Sequence, residues 1–178
     1  KEYLQSKQVP IISLSYIMDG VTYEEMDGLS HKEFFEKLRA GSLPTTSQIN
    51  PEQAREALEP FAKEGKDILH IAFSSALSGT YNSSRIAAEE LMEDYPDRKI
   101  IVVDSLGASL GQGLLVYLAQ EKKEQGEDME TVAKWAEENR LHMVHLFYSQ
   151  RFKSPIPRRP HFQNTAVVGS MLNIKTGP

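Results

Sequence analysis

The sequence predicts an α/β fold in which a parallel sheet is flanked by helices. Two apolar segments, residues 67–73 and 99–103, have the length and composition of buried strands. Each is followed by a loop rich in serine and glycine, and then by a helical pattern that ends near Tyr95 in the first unit and near Gly126 in the second. Two successive strand–loop–helix units imply parallel strands joined by right-handed crossovers.

A β-hairpin is predicted ahead of these two units. Residues 9–17 alternate loosely and are rich in Ile, Leu and Tyr, as strands are. Asp19 and Gly20 then form a two-residue turn into a second short strand at residues 21–23.

Capping signals predict three further helices. Ser30 and Glu33 have the spacing of a capping box, and Gly41 is suited to end that helix. The second helix is expected to begin after Asn50 and the third after Asp128, since both residue types are favoured N-caps.

Composition excludes several classes of protein. The net charge is -5 and the sequence shows no basic stripe, which argues against nucleic acid as a partner. There is no cysteine, so disulfides and thiolate chemistry are excluded. No stretch approaches the roughly 20 apolar residues that span a bilayer, so stable membrane insertion is not expected. A cytoplasmic location is the prediction.

Three polar loops lie where a ligand would be expected. Residues 74–80 and 104–111 follow the two predicted parallel strands, and residues 44–48 precede the helix that begins after Asn50. In open parallel sheets ligands bind beyond the carboxyl ends of the strands, and helix N-termini suit anions. Hydroxyl groups supply directed hydrogen bonds without a fixed charge, which suits a carboxylate on an apolar tail. The alternative is that these residues only cap helices.

Signatures of common enzymes are absent from the sequence. It contains no G-x-S-x-G, P-loop or H-E-x-x-H motif. The alternative function is a serine hydrolase or acyl-transfer enzyme using Ser75 or Ser78, which needs a histidine base. None of the five histidines has motif spacing to these serines. His70 is interpreted as a core residue, and Asp104 as a cap or turn residue rather than a base or metal ligand.

The chain resembles the DegV family of bacterial fatty-acid-binding proteins. The resemblance rests on PTTSQINP at 44–51, SSALSGTYNSS at 74–84, VVDSLGASLGQGLLV at 102–116 and SMLNIK at 170–175. It implies a DegV-like fold and a long-chain fatty acid such as palmitate, whose carboxylate is held by Thr46 and Ser78. Ser47, Gly79 and Thr80 are the implied neighbours.

The resemblance also implies a role without catalysis. Members of the family present the acyl chain to a separate fatty acid kinase that makes acyl phosphate. The expected protein is therefore a lipid carrier with no cofactor, and a kinase subunit is its implied partner.

The same resemblance predicts how the chain is organised. Residues 1–145 are expected to form the N-terminal domain without the family's first strand, and residues 146–178 to begin a second α/β domain. Residues 148–163 carry three prolines where the family has a segment ending in R-G-G-R-I-S. A shifted reading frame restores that segment with permitted codons, so frame errors at 148–163 and near Lys175 are expected. The alternative is an interdomain linker.

Overall fold

Two sheets organise the residues that the computed structural model describes, 2–23 and 28–146. The first is antiparallel and consists of β1 (Ser15–Met18), β2 (Val21–Tyr23) and β3 (Thr45–Ser47) in the order β2-β1-β3. Asp19 (φ 53°) and Gly20 (φ 78°) both adopt left-handed conformations between β1 and β2. Such a pair forms the tight turn whose twist matches a hairpin, so the predicted hairpin is confirmed.

Two details of this sheet differ from the sequence prediction. The predicted strand at 9–17 is shortened, because only Ser15–Met18 pairs with other strands. The segment 44–48 was expected to be a loop, yet Thr45–Ser47 forms β3 and pairs antiparallel with β1, Thr46 opposite Tyr16. A strand of three residues depends on its partner for stability, and local sequence carries little signal for it.

The second sheet is parallel, as predicted. β4 (Ile68–Ala72) pairs with β5 (Ile100–Asp104) in a register that runs from Ile68 opposite Ile100 to Ala72 opposite Asp104. Each strand leads through a short loop into a helix. This arrangement confirms the predicted α/β fold with a parallel sheet.

The helices begin and end close to the predicted residues. They are α1 (Glu2–Ser6), α2 (His31–Ala40), α3 (Pro51–Lys63), α4 (Thr80–Asp94), α5 (Ser109–Glu124) and α6 (Met129–Asn139), followed by a 3-10 turn at Arg140–His142. The side chains of Ser30, Asn50 and Asp128 accept hydrogen bonds from the third backbone N–H of α2, α3 and α6. The capping predictions are therefore confirmed. No helix in the described ranges is long and apolar enough to cross a membrane.

The parallel sheet separates two apolar clusters. Ile100 packs with residues of α3 and α4, including Leu58 and Leu91, on one face. Val103 packs with Leu115 of α5 and with α6 on the other face. Alternate residues of a strand point to opposite faces, so a sheet buried on both sides reads as a continuous apolar segment. This explains the two apolar runs in the sequence.

The predicted start of a second domain and the suspected frame errors lie outside the described residues. The structure describes Leu146 but neither residues 148–163 nor Lys175. Both remain predictions.

Candidate functional site

Asp104 connects the two loops at the carboxyl end of the parallel sheet. This residue ends β5 and is buried, with 8% of its surface exposed. Its Oδ1 accepts hydrogen bonds from the backbone N–H of Ser75 (3.0 Å) and of Leu106 (3.1 Å). The hydroxyl of Ser75 donates to Oδ2. The carboxylate is thus occupied by structural hydrogen bonds, in agreement with its interpretation as a turn residue.

Backbone hydrogen bonds join the same two loops at further points. The N–H of Ser74 donates to the carbonyl of Gly107 (3.0 Å), and the N–H of Ser105 donates to the carbonyl of Ala72 (3.1 Å). Ser74 and Ser105 are both 2% exposed. Their burial leaves them unable to contact a ligand from solvent, so they serve the loop structure.

The start of α4 carries two neighbouring hydroxyl groups, the half-buried one of Ser78 and the buried one of Thr80. Gly79 is the N-cap and makes no side-chain capping bond. Ser78 Oγ accepts from the backbone N–H of Thr80 (3.2 Å) and lies 2.9 Å from Thr80 Oγ1. Thr80 is 3% exposed, and its Oγ1 accepts from the N–H of Ile49 (3.4 Å).

These contacts leave one of the two hydroxyl hydrogens available to a ligand. Thr80 Oγ1 and Ser78 Oγ each already accept a backbone N–H, so one hydroxyl of the pair donates to the other. When Thr80 donates, the hydrogen of Ser78 is left for an outside acceptor. Ser78 is half-buried and stands at the positive end of α4. This arrangement suits an anion.

Gln48 joins the antiparallel sheet to α4. It follows β3 directly, and its Oε1 accepts from the backbone N–H of Gly79 (3.1 Å) across 31 residues of sequence. A Cβ added at Gly79 would lie 2.5 Å from that oxygen, so a larger residue there would displace the Gln48 side chain. Gln48 was absent from the predicted site residues, although it lies in PTTSQINP at 44–51, directly after the predicted residues Thr46 and Ser47. Its position in that segment was the signal in the sequence that could have identified it.

The predicted site residues fall into two groups. Thr46 and Ser47 lie in β3 and are exposed to solvent. Ser78, Gly79 and Thr80 surround the start of α4. The two groups are joined through the residues that follow β3, because Gln48 and Ile49 hydrogen-bond Gly79 and Thr80.

The loop serines bond to residues other than histidine in the part of the chain that the structure describes. Within the described part of the chain, the hydroxyls of Ser75 and Ser78 bond to Asp104 and Thr80 rather than to a histidine. Burial lowers the pKa of His70, in the middle of β4, to about 4. His70 is therefore neutral at pH 7.

His145 packs against the first turn of α5. A Cβ added at Gly111 would overlap its imidazole, and one at Gly107 would lie 3.2 Å from its Nε2. Residues 2–23 and 28–146 contain no group of three or more His, Asp or Glu that could hold a metal ion.

Comparison with protein families identifies the relatives of this chain. A family model described as "Uncharacterised protein, DegV family" matches residues 1–176. This chain belongs to the DegV family. A DegV domain-containing protein of Clostridium perfringens is 42% identical over 178 residues, which cover 98% of this chain and 61% of that protein. The chain therefore spans less than two thirds of this DegV relative.

Solved structures of the DegV family share the fold. A fatty-acid-binding DegV protein from Thermus thermophilus has a TM-score of 0.70 and 31% identity, covering 78% of this chain and 48% of its own. A stearic-acid-binding protein from Eubacterium ventriosum has a TM-score of 0.70 and 28% identity, covering 76% and 47%. The chain spans about half of each solved chain.

Proposed function

We propose that this protein holds a long-chain fatty acid by its carboxylate and does not catalyse a reaction on it. The observation that carries the proposal is the start of α4, where the hydroxyls of Ser78 and Thr80 share one hydrogen bond and the half-buried Ser78 can donate its hydrogen to a ligand at the positive end of the helix when Thr80 is the donor of the pair. Thr46 provides a second exposed hydroxyl on β3, the strand tied to that helix by Gln48. The fatty acids bound by its solved relatives support this choice of ligand.

The proposed contacts follow the predicted residues. Thr46 and Ser78 donate to the carboxylate, and Ser47, Gly79 and Thr80 lie beside it. Neutral donors are sufficient, because a tail the length of palmitate contributes roughly 11 kcal/mol at about 0.8 kcal/mol per buried methylene, before association costs. The apolar tail supplies affinity and the hydroxyls supply orientation.

Lipid extraction and binding measurements test this proposal. The purified 178-residue chain is extracted with organic solvent and its lipids are identified by mass spectrometry, and palmitate binding to the delipidated chain is then titrated. The double variant T46A/S78A should bind palmitate at least about 100-fold more weakly, since each lost hydrogen bond to a charged group costs about 1.5–3 kcal/mol.

Thr45→Ala is the matched control for this experiment. Thr45 is also exposed in β3, but its side chain points to the opposite face of the strand from that of Thr46. Palmitate affinity should change less than about twofold. Equal affinity of the double variant and the wild type would contradict the proposed clamp.

The partner of the proposed carrier is a fatty acid kinase in the cytoplasm. This part of the proposal rests on the resemblance of the loops to the family. Mixing the palmitate-loaded chain with such a kinase and ATP should yield acyl phosphate, detected as the hydroxamate after trapping with hydroxylamine. Ester hydrolysis by the chain alone that disappears in S78A would instead favour the serine-enzyme alternative.

A further inference from the structure

We propose that Gln48 is a further ligand-binding residue, whose carboxamide Nε2 donates a hydrogen bond to the carboxylate. The proposal rests on the function proposed above and adds a donor to the same site. Gln48 lies between the two groups of predicted residues, directly after Ser47 and in contact with Gly79. Gln48 has no hydroxyl group, and the sequence does not show its contact with Gly79 because the two residues are 31 positions apart.

The orientation of the carboxamide is determined by its contact with Gly79. A backbone N–H can donate only to the oxygen of a carboxamide, so the contact with Gly79 uses Oε1 and leaves the N–H groups of Nε2 unused. Nε2 makes no hydrogen bond within residues 2–23 and 28–146, and the side chain of Gln48 is exposed. These two N–H groups are therefore available to a ligand at an exposed position next to the start of α4.

The backbone of Gly79 holds this carboxamide closely. A Cβ at Gly79 would lie 2.5 Å from Oε1 and 2.9 Å from Nε2 of Gln48. Any other residue at position 79 would displace the carboxamide. The carboxamide thus lies against the backbone of Gly79, the residue that directly follows Ser78 in this loop.

The chemistry of the carboxamide matches the proposed ligand. Nε2 donates hydrogen bonds without carrying a charge, so it binds a carboxylate at a lower desolvation cost than a lysine would. Oε1 is at the same time the acceptor for the N–H of Gly79, the N-cap residue of α4. Gln48 therefore holds the loop with one atom and serves the ligand with the other.

Two substitutions separate these two roles. Gln48→Glu keeps an oxygen that can accept from the N–H of Gly79, but replaces the donor with a charged oxygen that repels a carboxylate. Gln48→Met has a similar length and removes both the acceptor and the donor. Gln125→Glu, at the exposed C-terminal end of α5, is the control for the change in charge.

Palmitate titration of the delipidated 178-residue chain tests the proposal. Gln48→Glu should weaken palmitate binding at least about 30-fold and Gln48→Met about 10-fold, because hydrogen bonds to charged groups are among the strong ones. Gln125→Glu should change the affinity less than about twofold. The amide resonance of Gly79 should stay near its wild-type shift in Gln48→Glu and move in Gln48→Met.

Hexadecanol distinguishes a lost donor from a distorted site. Its neutral hydroxyl can donate to the carboxylate introduced by Gln48→Glu as well as accept, so this variant should bind it within about threefold of the wild type. Palmitate affinity equal to that of the wild type in Gln48→Glu would overturn the inference and leave the proposed function standing. An equal loss of palmitate and hexadecanol would overturn it too, as a structural effect. Absence of palmitate binding in the wild type would overturn the proposed function itself.

Discussion

The backbone N–H and C=O groups on the two edges of β4 have different hydrogen-bond partners. Ile68 and Ala72 make backbone hydrogen bonds toward the β5 side, and alternation turns the N–H and C=O of Leu69 and Ile71 toward the other edge. On that edge the described residues provide one hydrogen bond, from Gln112 Nε2 of α5 to the carbonyl of Ile71 (3.0 Å). A cavity of about 840 Å³ is lined by residues 68–71 of this strand and also by residues 9–12.

The difference between the two edges indicates which contacts fix the conformation of the loop after β4. The hydrogen bonds of Asp104 with Ser75 and of Ser74 with Gly107 join the first part of the loop after β4 to β5 and its loop. The edge beside the cavity contributes a single side-chain contact among the described residues. The conformation of the loop that carries Ser78 should therefore depend on the β5 side.

Removal of the Asp104 carboxylate should give the largest effect. Asp104→Ala leaves the N–H groups of Ser75 and Leu106 and the hydroxyl of Ser75 without their acceptor. We expect a loss of about 3 kcal/mol in the free energy of unfolding, measured by urea denaturation.

Two further variants make this prediction specific. Asp104→Asn keeps one oxygen acceptor and an amide that can donate to the Ser75 hydroxyl, so its cost should fall to about 1 kcal/mol. Asp97 lies exposed in the turn before β5, and Asp97→Ala should cost less than about 0.5 kcal/mol. Similar losses in Asp104→Ala and Asp97→Ala would show that the β5 side does not order the loops.

Acidification should give the next largest loss of stability, because His70 is protonated more readily in the unfolded chain. Its backbone faces β5 and its side chain lines the cavity. Burial lowers its pKa from 6.5 to about 4 in the folded state, so between these values the unfolded chain binds the additional proton. Stability from this group is complete above pH 6.5 and falls as the pH drops toward 4.

The expected size of this effect is about 2 kcal/mol between pH 7 and pH 5, at about 1.36 kcal/mol per pKa unit. His70→Phe removes the titrating group, so the difference between wild type and variant in urea denaturation isolates its contribution. An identical pH dependence in the wild type and His70→Phe would contradict the buried environment of His70.

Local signals in the sequence predicted most elements, whereas contacts between distant residues were missed. Ser30 and Asn50 predict the starts of their helices because a capping hydrogen bond joins residues only three positions apart. The bond between Asp104 and Ser75 spans 29 residues, and that between Gln48 and Gly79 spans 31. Such contacts arise from the pairing of strands and the placing of loops, which leave no periodic pattern in the sequence.

Removal of the Gln112 hydrogen bond, on the edge of β4 that faces away from β5, should give the smallest loss of stability. Gln112→Ala deletes the hydrogen bond to the carbonyl of Ile71, and we expect a loss of about 1 kcal/mol in urea denaturation, the usual net value of one hydrogen bond. Gln120→Ala is the control on the same helix, because its exposed hydrogen bond to Glu124 should contribute less than about 0.5 kcal/mol. A loss in Gln112→Ala as large as that in Asp104→Ala would mean that both edges of β4 order the loops equally.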